Sequence, residues 1–154
     1  MKRIALFPGS FDPFTIGHEE IVRRALPLFD NIIVAIGYNS AKQGYFSLEK
    51  RINWIKDIFK DENKIIVDAY EGLTADYCVV KNAKFILRGL RTAADFEYER
   101  AIAQMNKMLK HDIETVFLLT KPEHSPISST IVREIIRYGG DASQFVPKEI
   151  DLLK

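Results

Sequence analysis

Cysteine is almost missing from this chain: Cys78 is the single one among 154 residues. No intrachain disulfide can form, and a reducing compartment is expected. Net charge is nearly absent as well, since 22 basic residues against 21 acidic ones leave +1. That balance gives no electrostatic case for a nucleic-acid or membrane partner, so an anionic ligand must be met by a local cluster. Long apolar runs are lacking. After Lys2 and Arg3 the run "IALF" is far shorter than the roughly 7 to 15 residues of a signal-peptide core. No stretch approaches the roughly 18 apolar residues of a membrane span, and the expected location is the cytoplasm. Two phosphate-binding fingerprints are absent, G-x-x-x-x-G-K-[ST] and G-x-G-x-x-G, which excludes a P-loop enzyme and a dinucleotide dehydrogenase of the usual kind. His111 and His124 stand far apart, so neither a metal-ligand spacing nor a catalytic triad emerges.

What is present is a regular alternation. Five β-rich runs occur at residues 3–7, 31–38, 64–70, 83–90 and 114–120, each continuous enough for a strand covered on both faces. Helical patterns lie between them. "HEEIVRRALPLF" carries Ile21, Val22, Ala25, Leu26 and Phe29 on one stripe, with Pro27 ending or kinking it. "SLEKRINWIKDIFK" begins at Ser47 as a candidate N-cap and is expected to bury Ile52, Ile55, Ile58 and Phe59. "LTADYCVVKN" is shorter, with Cys78 expected as a small buried hydrophobe. "DFEYERAIAQMNKMLK" is long, and "SSTIVREIIRY" stops at Gly139 and Gly140. Strands and helices in this order predict right-handed βαβ units in one α/β domain, residues 1–154, with a doubly wound, five-stranded parallel sheet. A chain of this length buries roughly 70% of its unfolded surface, enough for one sizeable core. Ligands in such sheets bind beyond the carboxyl ends of the strands, where strand order reverses. The loops that follow strands are therefore where chemistry is expected.

Four of those loops carry phosphate-type donors. "FPGSFDPFTIGH", after the first strand, holds two prolines and two glycines and ends on His18 at a helix start, where unpaired N–H groups and the helix dipole favour an anion. Ser10 adds a hydroxyl, and Gly17 allows a ring or phosphate close to the backbone. Alone, the segment also fits a tight turn whose histidine caps the helix. "HSPISSTIVRE", after the fifth strand, places Ser128, Ser129 and Thr130 at another helix start. "RGLRTAADFEYE", after the fourth, brings Arg88 and Arg91 to a strand end; planar guanidinium forks suit phosphate oxygens. The same arginines would also suit surface pairs with Asp95, Glu97 or Glu99. Lys42 follows the second strand.

The stretch Thr15–Ile16–Gly17–His18 resembles the T-x-G-H signature of the nucleotidyltransferase superfamily, and "ISSTIVR" resembles its serine-rich second signature. "RGLRTAADFEYE" resembles the phosphopantetheine adenylyltransferase family, whose element order and motif spacing match nearly the whole chain. The first two signatures are shared with enzymes that adenylylate nicotinamide mononucleotide or cytidylylate alcohol phosphates. The third segment discriminates. The resemblance implies a Rossmann-like fold and transfer of the adenylyl group of ATP to 4′-phosphopantetheine, giving dephospho-coenzyme A and pyrophosphate. It implies catalytic roles for His18, Lys42, Ser10 and Arg91, with His18 stabilising the transition state. ATP contacts are implied for Ser10, Phe11, His18, Gly89, Leu90, Arg91, Glu99, His124, Ser125, Pro126, Ile127, Ser128, Ser129 and Thr130. Phosphopantetheine contacts are implied for Ser10, Lys42, Leu73, Thr74 and Arg88, with Tyr77 beside them. Mg2+ would ride on the triphosphate and have no protein cage. A homohexamer and feedback inhibition by coenzyme A are also implied. Three positions depart from the family's habit: Thr74 replaces a larger apolar residue, His124 an aromatic ring such as tryptophan, and Gln43 a frequent second lysine.

Overall fold

A computed structural model describes residues 1–153. Five parallel strands run β1 Ile4–Gly9, β2 Asn31–Gly37, β3 Ile65–Tyr70, β4 Phe85–Leu90 and β5 Glu114–Leu119, in the spatial order β3-β2-β1-β4-β5. Helices α1 Ile16–Ala25, α2 Leu48–Ile58, α3 Thr74–Val80, α4 Ala93–Leu109 and α5 Ser129–Arg137 connect or follow them. This is the expected doubly wound α/β fold, and strand order reverses between β1 and β4. The loops leaving those two strands therefore open side by side at the carboxyl edge.

Alternation along the central strands divides the core in two. Ala5, Phe7, Ile32, Val34, Ile36 and Leu87 face one side, where Val22 of α1, Ile55 of α2 and Val132 of α5 cover them. Leu6, Ile33, Ala35 and Ile86 face the other, against Ala75 and Cys78 of α3. Cys78 is fully buried, as its apolar neighbours predict, and burial pushes its thiol up to about 11. The outer strands are less covered than their apolar runs suggest: Ile66 of β3 and Leu119 of β5 are exposed. An edge strand has a neighbour on one side only, so the layers above and below it thin out.

Local signals set most helix ends. Thr15 caps α1 in a capping box with His18, and the helix gives way at Pro27 to a 3-10 turn, Leu26–Leu28. Ser47 accepts from Lys50 N at 3.2 Å and caps α2. That helix buries Arg51 and Trp54, whereas the expected Ile52 is only partly buried. α4 starts two residues before the predicted Asp95, because Thr92 and Asp95 form a second capping box. α5 ends where expected: Gly139 takes φ 78° and Gly140 N donates to Ile135 O at 2.8 Å, a left-handed termination that favours glycine. α4 differs from the other helices in burying no residue, and Ile102, Met105, Met108 and Leu109 are exposed along it.

Candidate active site

The loop between β1 and α1 is held from three sides. Asp12 is buried, and its carboxylate accepts from Tyr45 N at 2.7 Å and Phe46 N at 2.9 Å. Arg51, 5% exposed, donates from Nη1 to Ser10 O at 2.7 Å and from Nε to Phe46 O at 3.1 Å. From α5, Arg133 Nη1 donates to Asp12 O and Ser129 Oγ donates to Pro13 O, each at 2.7 Å. Backbone carbonyls that a tight turn would leave unpaired are thus satisfied by side chains of α2 and α5. The fixed loop presents Ser10, Phe11 and His18 to a cavity of about 620 Å3 at the β1–β4 reversal.

His18 has a determined protonation pattern. Its Nδ1 lies 3.0 Å from Thr15 N, and a backbone N–H can only donate, so Nδ1 is the acceptor and the ring proton sits on Nε2. Thr15 Oγ1 is 3.2 Å from the same nitrogen. Burial, with the positive charges of Arg88 and Arg91 adding to it, lowers the imidazole pKa to about 3. The result is a neutral ring at physiological pH whose Nε2–H is a donor on the cavity wall.

Arg88 is oriented by Glu99. Nε donates to Oε2 at 3.0 Å and Nη2 to Oε1 at 2.7 Å, while Nη1 donates to Pro8 O. A guanidinium carries five N–H groups, so two remain for a ligand. Arg91 pairs with Asp95 at 3.4 Å. Two of the three partners that the sequence offered, Asp95 and Glu99, are therefore present, and they fix the guanidinium groups at the cavity rather than removing them from it, while Glu97 pairs with Arg100. Among the three hydroxyls at the start of α5, Ser128 accepts from Ile131 N and Thr130 from Arg133 Nη2, which leaves both O–H groups free to donate. Ser129 spends its proton on Pro13, so only two of the three remain donors.

A second cavity of about 280 Å3 adjoins the first, and Ser10, Arg88 and Glu99 line both. It reaches Tyr70, Thr74, Ile102 and Asn106. Of the residues singled out from sequence, Ser10, Phe11, His18, Gly89, Arg91, Glu99, His124, Ile127, Ser128, Ser129 and Thr130 line the larger cavity. Thr74 and Arg88 line the smaller. Lys42, Leu73, Leu90, Ser125 and Pro126 line neither. Leu90 is a buried core residue, Leu73 points to solvent, and Lys42 sits in an exposed loop after β2. Ser125 donates to Arg91 O at 3.0 Å and so ties the two loops together. Gly17 lines the larger cavity, and a Cβ there would meet nothing closer than Thr15 Oγ1 at 3.5 Å, so protein contacts leave it free to admit a ligand.

Three supporting residues escaped the sequence reading, Arg51, Arg133 and Glu20, and Thr15 entered it only as part of the T-x-G-H signature, not as the cap that holds His18. Glu20 Oε2 lies 2.8 Å from His124 Nδ1, and its carboxylate also pairs with Arg24 and Lys121. Only the Thr15–His18 spacing, an N-cap followed three residues later by a side chain that reaches back, was readable in advance.

Residues 6–135 match the cytidylyltransferase-like family, and the chain is a nucleotidyltransferase. A solved bifunctional NMN adenylyltransferase/ADP ribose pyrophosphatase of Francisella tularensis, complexed with AMP and a manganese ion, shares the fold at TM-score 0.71 and 18% identity. The similarity covers 95% of this chain and 44% of that one. The phosphopantetheine adenylyltransferase of Flavobacterium psychrophilum is 57% identical over 148 residues, covering 96% of this chain and 97% of the relative. That of Leptospira biflexa is 54% identical over 147 residues, 96% and 92% of the two chains. The chain belongs to the phosphopantetheine adenylyltransferase family, enzymes of coenzyme A biosynthesis.

Proposed function

We propose that a phosphate oxygen of 4′-phosphopantetheine attacks the α-phosphorus of magnesium–ATP, forming the new P–O bond as the bond to the β-phosphate oxygen breaks and pyrophosphate leaves. The attacking phosphate is already ionised at neutral pH, so no side chain needs to remove a proton. Alignment and charge stabilisation carry the catalysis. The observation that supports this most is His18: a neutral imidazole, its tautomer fixed by Thr15 N, offers its Nε2–H as a donor beside Arg88 and Arg91. In this reading Nε2–H meets an α-phosphate oxygen in the transition state. Arg91, Ser128 and Thr130 hold the β- and γ-phosphates, and His124 borders the adenine. Ser10 and the two remaining N–H groups of Arg88 stand where both substrates meet.

Magnesium enters as part of the nucleotide, where it neutralises phosphate charge. The acids lining the cavity, Asp95 and Glu99, are each engaged by an arginine, which fits a metal carried by the substrate. Lys42 reaches the phosphates only if its exposed loop folds over them on binding. We further assign the enzyme to the cytoplasm, as a hexamer inhibited by coenzyme A, whose pantetheine arm and nucleotide would fill the two adjoining cavities together.

Pyrophosphate release tests the reading. Magnesium-dependent turnover is expected with ATP and 4′-phosphopantetheine, with little or none when nicotinamide mononucleotide or glycerol 3-phosphate replaces the acceptor, and less with CTP. Faster turnover of nicotinamide mononucleotide would overturn it.

A further inference from the structure

The β3 side of the smaller cavity is walled by two hydroxyl-bearing residues, Tyr70 and Thr74, whose oxygens lie 2.9 Å apart. Two hydroxyls that share one hydrogen bond still present one free O–H and several lone pairs to a ligand. Tyr70 is 9% exposed, and burial holds its phenol above the ordinary value, so it is a hydroxyl and not a phenolate. Its oxygen abuts Gly37, where a Cβ would come within 3.2 Å. Tyr77 also packs on Tyr70, its ring stacked at 4.4 Å between centroids and 10° between planes.

Tyr77 and Asp68 line neither cavity. The Tyr77 hydroxyl donates to Asp68 Oδ2, and Lys81 Nζ lies 3.1 Å from the same oxygen. Ala69 N donates to Oδ1 at 2.9 Å, so the carboxylate is fixed to its own strand. Any apolar ring would cover Tyr70 from solvent. A hydroxyl anchored to a strand carboxylate does more, because it sets where in its plane the covering ring lies, and a parallel stack passes that constraint to Tyr70. Tyr77 therefore stands behind the cavity wall, in contact with a lining residue and not itself part of the lining.

We propose that Tyr77 and Asp68 are positioning residues for the acceptor substrate: packed against Gly37 and the anchored Tyr77 ring, Tyr70 holds its hydroxyl, and with it that of Thr74, toward the chain of the acceptor. The inference rests on the smaller cavity taking 4′-phosphopantetheine as proposed above. It identifies amide groups along an extended ligand as the partners of the hydroxyl pair.

Steady-state kinetics of the full-length enzyme test it. Tyr77→Ala should raise the KM for 4′-phosphopantetheine about tenfold, with kcat and the KM for ATP within about twofold of wild type. Tyr77→Phe keeps the stack and loses the anchor, and about a threefold rise is expected. Asp68→Ala should match Tyr77→Phe, whereas Asp68→Asn, whose single amide oxygen can accept from the hydroxyl or from Ala69 N but not from both, should fall between Asp68→Ala and wild type. A folded Tyr77→Ala enzyme with an unchanged acceptor KM overturns the proposal, and so does an equal rise in the KM for ATP. Should Tyr77→Ala not fold, the Tyr77→Phe and Asp68→Ala values decide by the same criteria. A wild-type enzyme that fails to use 4′-phosphopantetheine sinks the functional reading instead. The positioning is then judged by the ring-flip rate of Tyr70 in ligand-free protein, measured by NMR: faster flipping in Tyr77→Ala supports it, and an unchanged rate overturns it.

Discussion

His18 combines two properties that a free histidine does not, a fixed tautomer and a proton affinity far below the usual one. The folded value of about 3 against an ordinary 6.5 means that the unfolded chain binds the proton more tightly. The stability this neutral ring contributes is complete above pH 6.5 and is lost as pH falls toward 3, by up to about 1.4 kcal/mol for each unit. In the folded, ligand-free enzyme the ring resonances of His18 should keep their neutral positions from pH 8 down to 5. A titration centred near 6.5 would contradict the burial argument. If His18 acts on the transition state as proposed, His18→Ala should lower kcat roughly a hundredfold while ATP affinity by calorimetry changes little. The place of His18 in the first turn of a helix at the strand edge was legible in the sequence. Its tautomer was not, because that depends on which backbone group faces Nδ1.

The five strands lie within two residues of where β-rich runs placed them, because a buried parallel strand must be apolar on both faces and little else in the sequence looks like that. Helix faces were harder to read. α2 buries Arg51 in the middle of its apolar stripe, and periodicity alone assigns a charged residue to solvent. α4 departs furthest: 17 residues with an apolar row and nothing fully buried. Exposed Ile102, Met105 and Met108 on one helix are an apolar surface that a monomer gains nothing by showing to water. Light scattering at micromolar concentration should therefore return a multiple of the chain mass, sixfold for the hexamer. Met108→Glu should shift it toward the single chain, and a wild-type value equal to one chain would remove the subunit-contact reading of α4.

At the scale of the whole molecule, the loop between β1 and α1 is stabilised by residues remote in sequence. Arg51→Ala would leave the carbonyls of Ser10 and Phe46 without their donor and the buried Asp12 without its nearest cation, at 3.9 Å. A loss of about 3 kcal/mol is expected in urea denaturation. Arg51→Lys should recover part of it, since one ammonium cannot serve two carbonyls with the geometry of a fork. A loss within about 0.5 kcal/mol, the range of ordinary surface substitutions, would show that water replaces these bonds at no cost. Such long-range ties are what a single sequence hides, since composition near Asp12 says nothing of an arginine 121 residues later that donates to its carbonyl. That tie also has a temporal meaning. During synthesis the T-x-G-H loop emerges well over a hundred residues before its last brace, Arg133 on α5, so the nascent chain carries that loop unbraced over the whole interval. The loop reaches its final shape in one late step, when α5 docks, and not progressively as each strand is added.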